Sequence, residues 1–149
     1  MFIEVLMQKE YTLANQTITY DTVSDSDVAY LMDTIRKGVH FNLFNNIMTH
    51  SPFSLSEWAK FLHLSERTMQ RYNKEKKTFD SLQSEKILQI TLLYKRGIGV
   101  FGDKQKFNAW LDTLNLALGK TEPKNLLDNV FGIQLLGEEL TRIEHGVLA

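Results

Sequence analysis

The side chains best suited to binding chemistry are concentrated between residues 65 and 74. They supply guanidinium, ammonium, amide and hydroxyl groups: Ser65, Arg67, Thr68, Gln70, Arg71, Asn73 and Lys74. Arginine and lysine hold phosphate oxygens, and arginine, asparagine and glutamine also form hydrogen bonds with base edges. The pattern therefore predicts contact with DNA, whereas the alternative is a helix face that is simply solvated.

Two short helices must position these groups. Apolar residues at three- and four-residue steps indicate one buried face of the first helix: Leu55, Trp58, Ala59 and Leu62. Ser65 can cap the second helix, because its hydroxyl accepts hydrogen bonds from N–H groups of the first turn. Met69 and Tyr72 then face inward, while the polar side chains face outward. An apolar helix, a tight turn and a basic helix are typical of a helix-turn-helix.

The positive charge of the chain is concentrated in the segment that contains this motif. The net charge of all 149 residues is −1, which argues against a general nucleic-acid binder. Residues 55–102 carry nine Lys/Arg and five Asp/Glu, a net charge of +4, whereas residues 1–54 and 103–149 carry −3 and −2. This local excess favours the DNA hypothesis. The alternative is that the lysines simply solvate a helix end, where positive charge is favourable.

The composition is typical of a globular intracellular protein. Hydrophobic residues make up 43% and charged residues 23% of the chain, which is enough for a sizeable core. The chain has no cysteine, and this excludes disulfides and thiolate metal sites. The first ten residues have no basic segment before their short apolar run, and no apolar run approaches the ~20 residues that span a bilayer. We therefore expect a cytoplasmic protein that does not contact membranes.

No residues form a pattern that predicts catalysis or metal binding. The four histidines are scattered along the chain: His40, His50, His63 and His145. None forms an i, i+4 ligand pair, and no nucleophile–base signature appears. Glu138 and Glu139 are adjacent and face different sides of a helix. We expect no catalytic site, no metal and no cofactor.

Three glycines match the spacing of a dinucleotide-binding loop. Gly97, Gly99 and Gly102 fit G-x-G-x-x-G, and Glu122 lies about twenty residues further on. The motif binds NAD only between a strand and a helix, and here both flanks have helical periodicity. The favoured interpretation is that these glycines end a helix or let two helices approach closely. A small enzyme that uses NAD is the less favoured hypothesis.

The remaining periodicity predicts about seven helices and no sheet, so the expected fold class is all-α. A first helix begins at Ser24 or Asp25 and ends before Gly38, and a second ends before Ser51. Their inward faces carry apolar residues at helical spacing: Val28, Leu31, Met32, Ile35, Phe41, Phe44, Ile47 and Met48. Residues 1–24 form an N-terminal arm that is either disordered or a short strand.

Further helices are predicted in the second half of the chain. Ser84 caps one with a broad apolar surface: Ile87, Leu88, Ile90, Leu92, Leu93 and Tyr94. Asp103 caps the next, which has four apolar residues on one face: Phe107, Trp110, Leu111 and Leu114. Glu122-Pro123 begins another helix that Gly132 stops. The last helix extends from Ile133 to Gly146 and presents three apolar residues: Leu136, Leu140 and Ile143.

A series of short motifs occupies the same half. They are Trp110-Leu111, Asn115, Leu118-Gly119, Pro123, Leu126-Leu127, Gly132 and Arg142-Ile143-Glu144-His145-Gly146-Val147. Their order and spacing resemble the C-terminal domain of the Xre/MbcA/ParS antitoxins. The stretch from Leu64 to Tyr72 resembles the recognition-helix region of that family, with Ser-x-x-Thr followed by Gln-Arg. The chain departs from the family at Tyr72, where a basic residue is usual, and at Gly137, where an apolar residue is usual.

The resemblance implies a type II antitoxin that is a homodimer, binds its own operator DNA and docks on a RES-domain toxin. NAD would then belong to the toxin and not to this chain. The resemblance further implies an Xre-like helix-turn-helix domain over residues 25–102, packed with a toxin-binding domain over residues 103–149. The candidate toxin contacts are Arg142, Glu144, His145, Gly146 and Val147. The alternative function is a helical interaction module that has lost DNA binding.

Two groups of these residues also have a plain structural interpretation. Arg142 and Glu144 can form a surface ion pair, which contributes well under ~1 kcal/mol. Trp110 and Leu127 are interpreted as core residues, because large apolar residues on a helical face are usually buried.

Overall fold

Seven α-helices make up most of the part of the chain that the structure describes. The computed structural model describes residues 25–146, with side chains from residue 28 onward. The helices are α1 (Asp25–Lys37), α2 (Phe41–Thr49), α3 (Leu55–Phe61), α4 (Glu66–Glu75), α5 (Ser81–Phe101), α6 (Lys104–Leu111) and α7 (Val130–Glu144). Two 3-10 helices, Leu116–Leu118 and Pro123–Leu126, lie between α6 and α7, and residues 25–146 contain no strand. The predicted all-α class is confirmed, and the predicted arm of residues 1–24 lies outside the described residues.

Aromatic rings form the core of the N-terminal half. Phe41 and Phe44 project from α2, Trp58 projects from α3 and Phe79 follows α4, and all four are at most 1% exposed. The Phe44 ring lies edge-on to Trp58, at 5.3 Å between centroids, and at 5.1 Å from the Phe79 ring. Such tilted and edge-on arrangements are favourable for aromatic pairs. The core therefore confirms the predicted inward face of α2 and holds α3 and α4 against it.

The inward face predicted for α1 is only partly confirmed. Leu31 and Ile35 are half-buried and pack against the core. Val28 and Met32 are 43% and 44% exposed, so their predicted burial was wrong. Helix α1 packs against α5, and of the predicted face Leu31 and Ile35 are the residues that reach the core.

The long helix α5 lies at the centre of the fold and contacts α1, α6 and α7. All of its predicted apolar residues are buried: Ile87, Leu88, Ile90, Leu92, Leu93 and Tyr94. Its predicted cap was wrong, because Asp80 and not Ser84 is the N-cap and forms a capping box with Gln83. Ser84 is instead buried, and its Oγ accepts a hydrogen bond from the Val39 N–H at 2.7 Å. No helix within residues 25–146 has the length and apolarity needed to cross a bilayer.

The glycines of α5 allow a close approach to α6. The helix continues through Gly97 and Gly99 and ends at Gly102, whose φ of 72° is left-handed. A Cβ atom at Gly97 would lie 2.0 Å from the Phe107 ring, so only glycine leaves room for that ring. Both favoured interpretations are thus confirmed, one at each position. Because these glycines lie inside a helix, the segment is not the loop between a strand and a helix that a dinucleotide site requires.

Helix α6 confirms one predicted cap and corrects the predicted length. Asp103 accepts a hydrogen bond from the Gln105 N–H at 2.8 Å. The helix ends at Leu111, so Leu114 lies outside it and is 68% exposed rather than buried. Trp110, interpreted as core, is half-buried and stacks on Phe107 at 5.8 Å between centroids.

Helix α7 begins earlier than predicted. Asn129 is its N-cap and accepts a hydrogen bond from the Gly132 N–H at 2.7 Å, so Gly132 lies in the first turn and does not stop a helix. A Cβ atom at Gly132 would lie 1.9 Å from the carbonyl oxygen of Leu126. The glycine is therefore required where the 3-10 helix packs against α7. Leu127, which joins the two helices, is 2% exposed, and its interpretation as core is confirmed.

Candidate functional site

Helices α3 and α4 are joined by a tight turn. Ser54 caps α3 in a capping box with Glu57, and Ser65 caps α4 by accepting from the Thr68 N–H at 3.0 Å. Between them His63 has a left-handed backbone, with φ of 56°. Trp58, Ala59, Leu62 and Met69 are all at most 5% exposed, so the buried faces predicted for both helices are confirmed. This is a helix-turn-helix arrangement, in which α4 is the helix that presents polar side chains.

Four polar side chains follow the outer face of α4 at helical spacing. This basic stripe consists of Arg67, Gln70, Arg71 and Lys74, and all four are exposed. Steps of three and four residues place them in one line along the helix. Within residues 28–146, Arg67, Gln70 and Lys74 make no side-chain hydrogen bond or ion pair. The stripe therefore presents two guanidinium groups, an ammonium group and an amide to a ligand.

The other three residues of the predicted DNA-binding set serve local structure. The Ser65 Oγ atom accepts from the Thr68 N–H and also donates to the Thr68 Oγ1 atom at 2.9 Å. The Asn73 Oδ1 atom accepts from the Lys76 Nζ atom at 3.2 Å, beside the left-handed C-cap at Lys76. These residues fix the two ends of α4 and so orient the stripe.

Tyr72 explains one departure from the family pattern. Its ring is half-buried and lies 5.3 Å from the Phe79 ring between centroids. The Arg71 guanidinium and the Lys77 ammonium lie 5.9 Å and 5.7 Å from the Tyr72 ring centroid, within range of a cation–π contact. The tyrosine thus packs α4 against the core and holds two positive groups beside it, although it has no charge of its own.

The predicted toxin contacts lie at the C-terminal end of α7, where Arg142 and Glu144 have different partners. The Arg142 Nε atom donates to the Glu139 carboxylate at 2.9 Å, and the Glu139 residue is only 2% exposed. The Glu144 carboxylate lies 3.7 Å from the guanidinium of Arg96 on α5. The proposed surface pair between Arg142 and Glu144 is therefore wrong, because each charge is held by a buried residue.

Arg96 ties α5 to the last turns of α7. The residue is 5% exposed, and its guanidinium donates to the Gly137 carbonyl oxygen at 2.9 Å and to the Thr141 hydroxyl at 2.5 Å. A buried guanidinium needs several acceptors, and three residues of α7 supply them: Gly137, Thr141 and Glu144. The end of α7 is therefore fixed to the centre of the fold.

The last described residues form the end of α7. His145 is the C-cap, and its N–H donates to the Thr141 carbonyl oxygen at 3.1 Å. Gly146 has a left-handed φ of 67°. Both are exposed, and Val147 lies outside the described residues. His145 and Gly146 are thus accessible to a partner without any change of backbone.

A joint between the two halves of the chain was not found by sequence reasoning. The carbonyl oxygen of Asp128 accepts from the His63 Nε2 atom at 2.7 Å and from the Lys86 Nζ atom at 2.8 Å. Burial lowers the pKa of Lys86, and the negative charge of Asp128 partly offsets that effect. A shallow groove of about 250 Å³ opens beside the joint, between His63, Lys86 and Val130. The turn of the helix-turn-helix is therefore fixed to the start of α7.

Lys124 makes a second connection between the halves. Its ammonium lies 2.8 Å from Asp112, 3.4 Å from Glu57 of α3 and 3.8 Å from Glu122. The hydrogen bond to Asp112 raises the pKa of Lys124, and burial opposes this. Within the described part of the chain, no group of three or more His, Asp or Glu side chains could hold a metal ion.

Comparison with known families matches the two halves separately. Residues 31–91 match the antitoxin Xre-like helix-turn-helix domain, and residues 97–146 match the antitoxin Xre/MbcA/ParS C-terminal toxin-binding domain. The chain belongs to the Xre antitoxin family. Members of this family are type II antitoxins that bind and regulate, and they are not enzymes. The two matches meet inside α5, so in this Xre-family antitoxin one continuous helix joins both domains.

Two relatives of known family support the assignment over most of their length. The chain is 25% identical to "Antitoxin Xre" of Yersinia enterocolitica serotype O:8 / biotype 1B over 120 residues, which is 80% of this chain and 81% of that protein. It is 23% identical to "Antitoxin Xre" of Photorhabdus laumondii subsp. laumondii over 121 residues, 80% of this chain and 82% of that protein. The similarity therefore includes both the helix-turn-helix and the toxin-binding domain.

Proposed function

We propose that this Xre-family antitoxin represses its own operon through the basic stripe of α4 and neutralises a RES-domain toxin through its C-terminal domain. The observation that carries the DNA-binding half is the exposed basic stripe of α4, in which Arg67, Gln70 and Lys74 make no side-chain hydrogen bond or ion pair within residues 28–146. Residues 25–102 would form the DNA-binding domain and residues 103–149 the toxin-binding domain. The protein would act in the cytoplasm.

The chemistry of the basic stripe fits an operator. Arg67, Arg71 and Lys74 would bind phosphates, and Gln70 or either arginine could reach base edges in the major groove. Ser65, Thr68 and Asn73 lie at the two ends of the same helix, where they could add backbone contacts. A homodimer would place two α4 helices in half-sites about 34 Å apart. The basic segments of both chains would then bind the same DNA, and this would compensate for the small net positive charge of each segment.

The toxin-binding half rests on the family match and on the exposed surface of α7. Bound toxin would have its active site covered, and NAD would be consumed by the toxin and not by the antitoxin. His145 and Gly146 are exposed, and Val147 follows them, so this end could enter a cleft. Arg142 and Glu144 would contribute through their exposed atoms while remaining tied to Glu139 and Arg96.

Two measurements test the proposal. In the first, the protein encoded by the neighbouring reading frame is expressed with and without this chain, and rescue of growth is expected only with it. In the second, binding to the DNA upstream of the operon is titrated at two salt concentrations, and affinity is expected to fall steeply with salt. Growth rescue without any DNA binding would support the interaction module instead. Failure of both would reject the proposed function.

A further inference from the structure

The solvent-facing side of α7 carries large apolar residues. Phe131 is 82% exposed and Leu135 is 37% exposed, although the opposite side of the same helix is packed in the core by Ile133, Leu136 and Leu140. Steps of four, three and four residues line up Phe131, Leu135, Glu138 and Arg142, and all four are exposed. We call this set the α7 stripe. A phenylalanine ring so exposed loses the free energy that burial would give it, unless a partner covers it.

The position of the α7 stripe in the chain and the residue at its C-terminal end, Arg142, indicate which partner covers it. The stripe is part of residues 97–146, which match a toxin-binding domain. At its far end the Arg142 guanidinium is oriented by the buried Glu139 carboxylate through Nε and one terminal nitrogen. Its side chain remains 47% exposed, and within residues 28–146 its other terminal nitrogen has no hydrogen-bond partner, so it can donate to a carboxylate or carbonyl of a partner.

We infer that the α7 stripe is the main docking surface for the toxin, an assignment that rests on the proposed function. The toxin would receive α7 in an apolar groove, with a pocket for the Phe131 ring, a contact for Leu135 and an acceptor opposite Arg142. The stripe spans about 16 Å, because each helical residue rises ~1.5 Å. It can thus form the centre of an interface, and the exposed end at His145 and Gly146 extends it.

Phe131→Ser and Leu116→Ser make a matched pair for the test. Both side chains project from residues 97–146, at 82% and 79% exposed, and only Phe131 lies on α7. Binding of the full-length chain to an inactive variant of the neighbouring gene product is measured by calorimetry. Loss of a central aromatic anchor is expected to weaken binding by about 30-fold or more, whereas Leu116→Ser should change it less than about twofold.

The outcomes separate the docking assignment from the proposed function. Unchanged thermal unfolding and unchanged DNA binding of Phe131→Ser are expected, because the ring is outside the core. Equal binding by wild type and Phe131→Ser would overturn the docking assignment and leave the function intact. Loss of self-association by light scattering, with toxin affinity unchanged, would assign the stripe to a second copy of this chain and also overturn it. A wild-type chain that does not bind the gene product would reject the function itself.

Discussion

The His63 Nε2 atom lies 2.7 Å from the carbonyl oxygen of Asp128. Since a carbonyl can only accept, Nε2 carries the proton and donates it. His63 lies in the turn immediately before α4, and Asp128 immediately precedes the Asn129 N-cap of α7. One hydrogen bond therefore connects the turn that positions the basic stripe of α4 to the N-terminal end of α7, the helix that carries the α7 stripe.

Replacing this histidine should weaken the joint without disturbing the turn. His63→Asn shortens the side chain, and asparagine also tolerates the left-handed backbone found here. The free energy of unfolding should fall by about 1 kcal/mol, the typical net contribution of one hydrogen bond, because Lys86 still donates to the same oxygen. Urea unfolding is the measurement, with His145→Asn as the control. Equal effects of both changes would show that the hydrogen bond contributes nothing to stability.

Most helices of this fold could be predicted because apolar residues recur with the helical period. Trp58, Met69 and Ile87 are each at 0% exposure on faces that the spacing predicted. The predicted role of a residue was wrong where the same residue type can serve two different structural roles. Ser84 fits an N-cap, but the Asp80–Gln83 capping box lies one turn earlier and its spacing was visible in the sequence. Gly132 fits a helix end, but here it permits close packing at a helix start.

Only those parts of the candidate site that depend on residues close together in the sequence could be predicted. The exposed stripe of α4 follows from spacing within ten residues, and the contact of Arg142 with Glu139 is an i, i+3 pair that spacing also permits. The contacts of Arg96 with Thr141 and Glu144, and of His63 with Asp128, join residues more than 40 positions apart. Such contacts depend on how the helices pack, and no spacing rule indicates them.

Substitution by alanine should have opposite effects on stability at two glycines, Gly97 and Gly137. Gly97→Ala would place a Cβ atom 2.0 Å from the Phe107 ring, whereas at Gly137 the nearest atom, on Arg96, would be 3.7 Å away. We expect Gly97→Ala to lower stability by about 1–3 kcal/mol through overpacking. Gly137→Ala should raise it by roughly 0.5–1 kcal/mol, because alanine favours the helix. Thermal unfolding distinguishes them, and a neutral Gly97→Ala would refute the close approach of α5 and α6.

The ion pairs of Lys124 should make stability depend on pH at alkaline values. Its folded-state pKa is raised, chiefly by the hydrogen bond to Asp112. The stabilisation is therefore fully present below the unfolded pKa of about 10.4 and is lost as pH rises through the raised folded value. Lys124→Met should lower stability at pH 7 by no more than about 1 kcal/mol, given solvent screening. Its effect should diminish as the pH rises through the raised pKa, and urea unfolding at a series of pH values from neutral to strongly alkaline measures this. A pH-independent effect would indicate lost packing.

Removal of Arg142 should leave a buried charge without its partner. The Glu139 side chain is 3% exposed and pairs with Arg142, so Arg142→Ala is expected to lower stability by about 1–3 kcal/mol. Replacing both residues, as Glu139→Leu with Arg142→Ala, should recover most of the loss. A double-mutant cycle in urea measures the coupling, and additive effects would contradict it. A truncation before Arg142 is thus a poor test of toxin binding, because it also destabilises the fold.

Arg67 and Arg71 should each determine the salt dependence of DNA binding. If each neutralises one phosphate, Arg67→Ala and Arg71→Ala will each reduce the slope of log affinity against log salt by about 0.9. Lys104→Ala removes the same charge from an exposed position on α6 and serves as the control, with its slope unchanged.

Gln70→Ala completes the series, because it removes an uncharged group from the centre of the same stripe. If Gln70 reads a base edge, this change should leave the salt slope intact and weaken discrimination between operator and random DNA by about 1–3 kcal/mol. Gel shifts of all four variants at two salt concentrations, on both DNA sequences, measure the two effects independently. Identical slopes for wild type, Arg67→Ala and Arg71→Ala would show that α4 does not face the phosphates. Apart from the Arg71–Tyr72 contact, the four stripe side chains make no hydrogen bond or ion pair within residues 28–146, so we expect the variants to remain folded.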